Sequence, residues 1–270
     1  MTIEIKTKIN RLLSNLPEGA LATTPWLEKQ GISPQLVSHY EKSGWLEAIG
    51  YGAYARNKKT LTWQGGVYAM QSQLNMKVHV GAKTALELKR LLHFVPQTSS
   101  PSSYLYLFSN KELPAWFLKY PWGIKIFCKP THLFKSNNEL GMTAYEVSAF
   151  SLKISAPERA IMELLYFVPS KQGLEEAFLI LEGLATLRPK IIQQLLETCQ
   201  SVKVKRLFCA LSKQAGHNWF KDLNLTQVNF GKGKRMIGNG GDFDSEFLIT
   251  IPKKQGSLND RKRSEFALEH

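Results

Sequence analysis

Cysteine is scarce in this chain of 270 residues, and its arrangement excludes more than its number does. Cys128, Cys199 and Cys209 make an odd set with no CxxC spacing, which argues against both a disulfide framework and a zinc site. They sit in apolar stretches, which predicts small core residues in a reducing compartment. Long hydrophobic runs are missing too: none approaches the ~18–20 residues of a membrane span. The opening MTIEIKTKIN is polar and has no signal-peptide core. A cytoplasmic protein with no membrane partner is expected. No GxxxxGK[ST] occurs, which argues against an NTPase. The histidines His79, His93, His132 and His217 are too scattered to suggest a metal site, and no cofactor is expected.

Acidic residues are the other shortage. There are 22 Asp+Glu against 35 Lys+Arg, a net charge of +13. The excess is spread: +4 over residues 1–80 (9 basic, 5 acidic), +4 over 81–150 (8 and 4) and +5 over 151–270 (18 and 13). Such a surface favours polyanions, of which nucleic acid is the commonest. With 43% hydrophobic residues the chain can build a real core, and no repeat or low-complexity tract interrupts it.

Helical spacing of Ile5, Ile9, Leu12, Leu13 and Leu16 predicts a first helix over 3–16, ended by Pro17-Glu18-Gly19. Thr23 or Thr24 can cap a short second helix with Pro25 in its first turn, closed by Gly31. Ser33-Pro34 repeats that start signal for a third helix to Ser43, stopped by Gly44. Two short runs, 45–49 and 53–56, are joined by Gly50-Tyr51-Gly52 and read as a hairpin. Helix, helix, tight turn, helix, hairpin is the order of a winged helix-turn-helix. Residues 60–95 read as helical, with a break at 75–81 and a second helix over 83–93. A Pro/Ser loop follows at 96–103. Strand-like runs come next, at 104–108, 124–127 and 145–154. Four helical segments are expected over 156–216, then strands at 225–230 and 246–251. The fold class is therefore α+β. A winged helix-turn-helix at 1–60 and a helical connector at 61–95 precede a larger mixed α/β domain at 96–267. Residues 268–270 read as the remnant of an expression tag.

In a helix-turn-helix, the second helix of the motif enters the major groove of double-stranded DNA. Here that is the helix starting at Pro34. Leu36, Val37 and Tyr40 form its core face, and Gln35, Ser38, His39 and Lys42 its outer face. Gln can bond adenine twice, and Lys suits guanine or phosphate. The helix N-terminus can itself hold a phosphate. The wing offers Tyr51, Tyr54, Arg56 and Lys58. With Thr24 and Ser33, these residues form the expected DNA-contact set. A winged helix can also serve only as a protein-interaction module.

A family resemblance rests on these residues and on others further along. The N-terminal match is Thr23-Thr24, Gly31-Ile32-Ser33, Leu36, Lys42 to Leu46 and Gly50 to Tyr54. Beyond it come His79 to Leu88, His93-Phe94-Val95, Leu113 to Trp116, Ser155 to Leu165, Lys203 to Phe208, Gly231 to Arg235 and Phe243 to Pro252. Together they resemble the AbiEi family, the antitoxin half of type IV abortive-infection toxin–antitoxin systems. Arg90 stands where the resemblance implies a glycine. The resemblance implies an N-terminal domain that represses its own operon and a C-terminal domain that carries the antitoxin activity. It also implies a cognate nucleotidyltransferase-like toxin that the antitoxin need not touch, and no catalysis by this chain.

Three further constellations stand out. Arg159 and Glu163 lie at i, i+4 on the helix from Ala156, where a salt bridge is available. Lys203, Lys205 and Arg206 open a helix, while Lys232, Lys234 and Arg235 lie on a glycine-flanked loop; together they form a candidate basic cluster of the antitoxin domain. Asp242, Asp244 and Glu246 alternate. On a strand they would share a face and could hold Mg²⁺, the reading that a nucleotidyltransferase-like enzyme would require. The plainer alternative is a polar turn entering a terminal strand.

Overall fold

The computed structural model describes residues 2–92, 104–130, 132–135, 139–238 and 240–252. The loop at 96–103 and the residues 268–270 lie outside them. The chain is a mixed α+β molecule with several small sheets.

The N-terminal elements follow the sequence signals closely. α1 (Thr2–Asn15) buries Leu12 and leads to the equally buried Leu16. α2 (Thr24–Lys29) carries Pro25 in its first turn. α3 (Pro34–Lys42) starts after Ser33, whose Oγ accepts the Leu36 N–H at 3.3 Å. Gly31 and Gly44, both at φ 75°, end these helices. That left-handed turn lets the N–H groups of Ile32 and Trp45 reach back to the carbonyls of Leu27 and Tyr40. β2 (Glu47–Gly50) and β3 (Ala53–Ala55) form the hairpin. An unexpected strand, β1 (Leu21–Thr23), pairs with β3 and completes a sheet of order β1-β3-β2. Thr23 occupies the N-cap position of α2, but its hydroxyl does not cap the helix. It donates instead to Gln73 Oε1 at 3.0 Å, and the Thr23 N–H donates to the same oxygen at 2.8 Å. Gln73 Nε2 in turn donates to the Leu21 carbonyl at 2.7 Å. A single buried amide thus ties β1 to the following segment.

That segment is not helical throughout. α4 (Trp63–Tyr68) runs into a π-helical turn at Ala69–Gln73, and the expected break contains β4 (Val78–Val80). β4 is the middle strand of a sheet ordered β6-β5-β4-β8-β7. It lies antiparallel to β5 (Tyr104–Ser109) and parallel to β8 (Phe150–Ser155). β6 (Lys125–Pro130) is parallel to β5. β7 (Met142–Val147) is antiparallel to β8, so the single run expected over 145–154 belongs to two strands joined by a turn. α5 (Ala82–Leu88) stops short of its expected end, at Arg90, whose φ is 57°.

Four helices follow, as expected: α6 having come earlier (Ala115–Lys119), they are α7 (Pro157–Tyr166), α8 (Leu174–Glu182), α9 (Pro189–Thr198) and α10 (Val202–Ala215). Their inner faces join the main core through Ala160, Ile161, Leu181, Leu207 and Phe208, all fully buried. Glu158, buried on α7, receives two bonds from the Arg188 guanidinium at 2.9 and 3.0 Å and so fixes the start of α9. Cys199 and Cys209 are buried and Cys128 is half-buried; burial pushes the Cys128 and Cys199 thiols up to about 11, which suits core residues rather than nucleophiles. The stretch 225–230, expected as a strand, holds a 3₁₀ turn at Leu225–Gln227. The last sheet is instead β10-β11-β9, from β9 (Arg235–Met236), β10 (Asp242–Asp244) and β11 (Ile249–Ile251).

The N-terminal elements pack directly on the rest. α6 lies against β2, and a Cβ added to Gly50 would stand 2.9 Å from Trp116 Cβ, so only glycine permits that approach. Among the described residues no helix is long and apolar enough to cross a membrane.

Candidate nucleic-acid interface

α3 is held by one face and open on the other. Val37 and Tyr40 are buried and Leu36 is half-buried, whereas Gln35, Ser38, His39 and Lys42 are exposed. The division follows from helical geometry, since Leu36, Val37 and Tyr40 fall within one stripe about 100° wide. Ser33 is also exposed; its Oγ accepts from the helix, and its hydroxyl proton remains free to donate.

Beside α3 stands the hairpin. The side chain of Tyr51 at its turn is fully exposed, at 102%. Gly52 anchors that turn to α2: its carbonyl accepts the Thr24 N–H at 2.9 Å, and a Cβ there would lie 3.3 Å from Thr24 Oγ1. Thr24 and Tyr54 are half-buried and line a shallow groove of about 100 Å³ with Leu27, Ile32, Val37 and Ser38. Glu28 and Glu41 also border it and make that side of the surface locally acidic. Arg56 is exposed but partly committed, since its Nη1 donates to the Leu13 carbonyl at 3.2 Å and straps the hairpin to α1. The backbone N–H of Lys58 donates to Glu47 Oε1 at 3.1 Å, which leaves the exposed ammonium free of that bond. The expected contact residues thus gather on α3, the start of α2 and the hairpin.

The six C-terminal basic residues do not form one patch. Arg206 is wholly buried, and its guanidinium donates to the carbonyls of Phe230 (2.9 Å), Gly231 (3.1 Å), Leu248 (3.0 Å) and Gly233. It organises the loop at 230–233 and the turn before β11, and it has no free face for a phosphate. Lys203 Nζ donates to the carbonyls of Tyr166 and Val168 at 2.7 and 2.6 Å, closing the end of α7. Lys205 is buried. Lys232, Lys234 and Arg235 are exposed and form the accessible remainder.

The alternating acids are also separated. Asp242 and Asp244 sit on β10, but Glu246 lies in the turn beyond it and pairs with Lys213. Asp244 Oδ1 accepts the N–H groups of Glu246 and Phe247, each at 2.9 Å, which is a turn-forming role. Among the described residues no three His, Cys, Asp or Glu side chains are grouped so as to hold a metal.

Sequence reasoning found the Arg159–Glu163 pair, at 2.8 Å, but not its setting. Glu163 also accepts from Ser155 Oγ at 2.7 Å and from the Ala82 N–H at 3.1 Å, and meets His79 Nε2 at 2.9 Å. His79 lies 84 residues away in the chain, and no sequence pattern joins the two.

Comparison with known proteins gives concordant matches. A family model described as "Transcriptional regulator, AbiEi antitoxin, Type IV TA system" matches residues 102–252. A second, described as "Transcriptional regulator, AbiEi antitoxin N-terminal domain", matches residues 5–97. No curated protein matches the chain. Among solved structures, that of the RV2827C protein from Mycobacterium tuberculosis superimposes with a TM-score of 0.54 at 13% identity. The match covers 89% of this chain and 88% of that one, and it is a likeness of fold.

Proposed function

The chain belongs to the AbiEi antitoxin family of transcriptional regulators from type IV toxin–antitoxin systems, and on that premise we propose that it binds double-stranded operator DNA through a winged helix-turn-helix at residues 1–60. In this reading α2 and α3 are the helix-turn-helix, α3 enters the major groove, and the β2–β3 hairpin is the wing. Bound there, the protein represses its own operon. The larger C-terminal part, from about residue 96, counteracts a nucleotidyltransferase-like toxin in the cytoplasm without catalysis and without needing to touch it.

One observation carries the DNA reading: α3 turns four polar side chains, Gln35, Ser38, His39 and Lys42, to solvent on one face, and Tyr54 of the hairpin lines the same groove as Ser38. Gln35 is the base reader. Lys42, Tyr51, Tyr54, Arg56 and Lys58 grip the backbone, with Thr24, Ser33 and Ser38 as shorter-range donors and His39 at the groove edge. Lys232, Lys234 and Arg235 are the part of the C-terminal basic cluster left free to serve the antitoxin function.

Binding to the natural operator, followed by gel shift across a salt series, tests this. Gln35→Ala should weaken operator binding by about 1–3 kcal/mol and relax preference at one base pair. Lys58→Ala should weaken all sequences alike and lower the salt slope by roughly 0.9. If the two variants behave identically, α3 is not the reading helix.

A further inference from the structure

At the β5–β6 end of the five-stranded sheet, one face carries a continuous set of aromatic rings. Tyr104, Tyr106 and Phe108 alternate along β5 and so share that face. Phe127 stands opposite Tyr106 on β6. Ring centroids follow one another at 6.3 Å (Tyr104–Tyr106), 5.7 Å (Tyr106–Phe127), 5.1 Å (Phe127–Phe167) and 5.8 Å (Phe167–Tyr166). Buried and open rings alternate in this chain. Tyr106 and Phe167 are buried, while Tyr104 is 43% exposed, Tyr166 is 41% exposed and Phe127 is half-buried. The buried rings therefore hold the open ones in fixed positions.

Each open ring has an ammonium beside it. Lys125 Nζ lies 5.8 Å from the Tyr104 centroid, Lys129 Nζ 5.7 Å from that of Phe127, and Lys203 Nζ 5.6 Å from that of Tyr166. Lys203 spends two donors on carbonyls and acts mainly to fix Tyr166. Lys125 and Lys129 are four residues apart on one strand, which sets them about 13 Å apart. Two carboxylates act on the buried Tyr106, Glu176 and Glu87, and Glu176 is itself paired with Lys83 at 2.6 Å.

Rigid open rings interleaved with cations suit a ligand that alternates flat apolar faces with negative charge. An apolar protein surface would have to bury Lys125 and Lys129 without counter-charges, which is costly. Duplex DNA keeps its base faces stacked internally and could use only the lysines. We infer that this β5–β6 face binds single-stranded nucleic acid, with Tyr104 and Tyr166 stacking on bases and Lys125 and Lys129 meeting phosphates. The inference is independent of operator recognition by α3.

Fluorescence anisotropy of the full chain with labelled U12 and dT12 oligonucleotides tests it, with a random duplex as competitor. Tyr104→Ala and Tyr166→Ala should each weaken binding by roughly five- to a hundredfold, and Tyr104→Phe should bind as the native chain does. Lys125→Ala with Lys129→Ala should lower the salt slope by about 1.4. Lys125→Glu, a change at an exposed side chain, gives a second variant that leaves every ring in place and should weaken binding as well. The relative affinity for U12 and dT12 then assigns RNA or DNA. Three results would each overturn the inference: no oligonucleotide binding at low salt, native affinity in both alanine variants with melting unchanged, or loss of oligonucleotide binding on Gln35→Ala alone.

Discussion

Glu163 is enclosed on all sides and yet held ionised. Burial by itself would raise its pKa, but the facing His79 and the Arg159 guanidinium outweigh that and hold the carboxyl at about 2. Arg159 is fixed in turn by the Leu140 carbonyl at 2.9 Å and lies over the Phe134 ring, 4.8 Å from its centroid. The acid therefore joins β4, α5, β8 and α7 at one point. Because its folded pKa lies below the unfolded value of about 4.3, the stabilisation is complete above that pH. It is lost as pH falls from there toward 2. Glu163→Gln removes this dependence and leaves a buried guanidinium without its counter-charge, at a cost of roughly 3–5 kcal/mol near neutral pH. Urea unfolding of both proteins at pH 7 and along the acid limb measures this. Parallel loss of stability by the native and variant proteins between about pH 4 and pH 2 would assign the acid sensitivity to other groups.

At the scale of elements, the end of α5 shows a local rule broken. The Arg90 N–H donates to the Glu87 carbonyl at 2.8 Å and the Leu91 N–H to Leu86 at 2.9 Å, the bonding of a helix end that wants glycine in the left-handed position. Arg90 occupies it at φ 57°. An L side chain there costs on the order of 1 kcal/mol, so Arg90→Gly should raise the melting temperature by about 2–4 °C. An unchanged or lower melting temperature would mean that the Arg90 side chain contributes contacts that offset the strain. Elements with strong end signals were legible in the sequence for the same physical reason: Ser33-Pro34 and Gly44 bracket α3, and its exposed face follows from where Leu36, Val37 and Tyr40 fall. β1 and β4 were not, because three residues carry no measurable alternation and their place is set by partners far along the chain. The 225–230 stretch has strand-like composition, yet the Asn224 side chain accepts the Thr226 N–H and opens a 3₁₀ turn instead. Nor could Lys203, Lys205 and Arg206 be separated from Lys232, Lys234 and Arg235. What engages Lys203 and buries Lys205 and Arg206 is a set of carbonyls and packing partners that no local pattern specifies.

Across the whole molecule, the N-terminal elements are joined to the rest over a surface and not merely through a linker. Trp116 is buried against Gly50, and Gln73 completes the bonding of Leu21 and Thr23. A chain lacking residues 1–60 would uncover Trp116 and the Gly65 side of α4, and would leave the Gln73 amide without its partners in β1. Such a truncation should lose its cooperative thermal transition, and failure to protect cells would then say nothing about which half carries the antitoxin activity. Point variants in the full chain avoid this. Gln35→Ala with Ser38→Ala and Lys42→Ala alters only exposed side chains, so melting should stay within about 0.5 kcal/mol per site of native. Operator binding should fall, and protection against the cognate toxin should persist if the two activities are divided as proposed. Lys232→Ala with Lys234→Ala and Arg235→Ala gives the converse test, again at exposed positions; Arg206 is excluded because its loss would release four carbonyls. If the α3 triple variant loses protection while melting normally, DNA binding is part of neutralisation. If instead the truncated chain melts cooperatively near the native temperature, the contact through Trp116 and Gln73 is dispensable and the two parts fold independently.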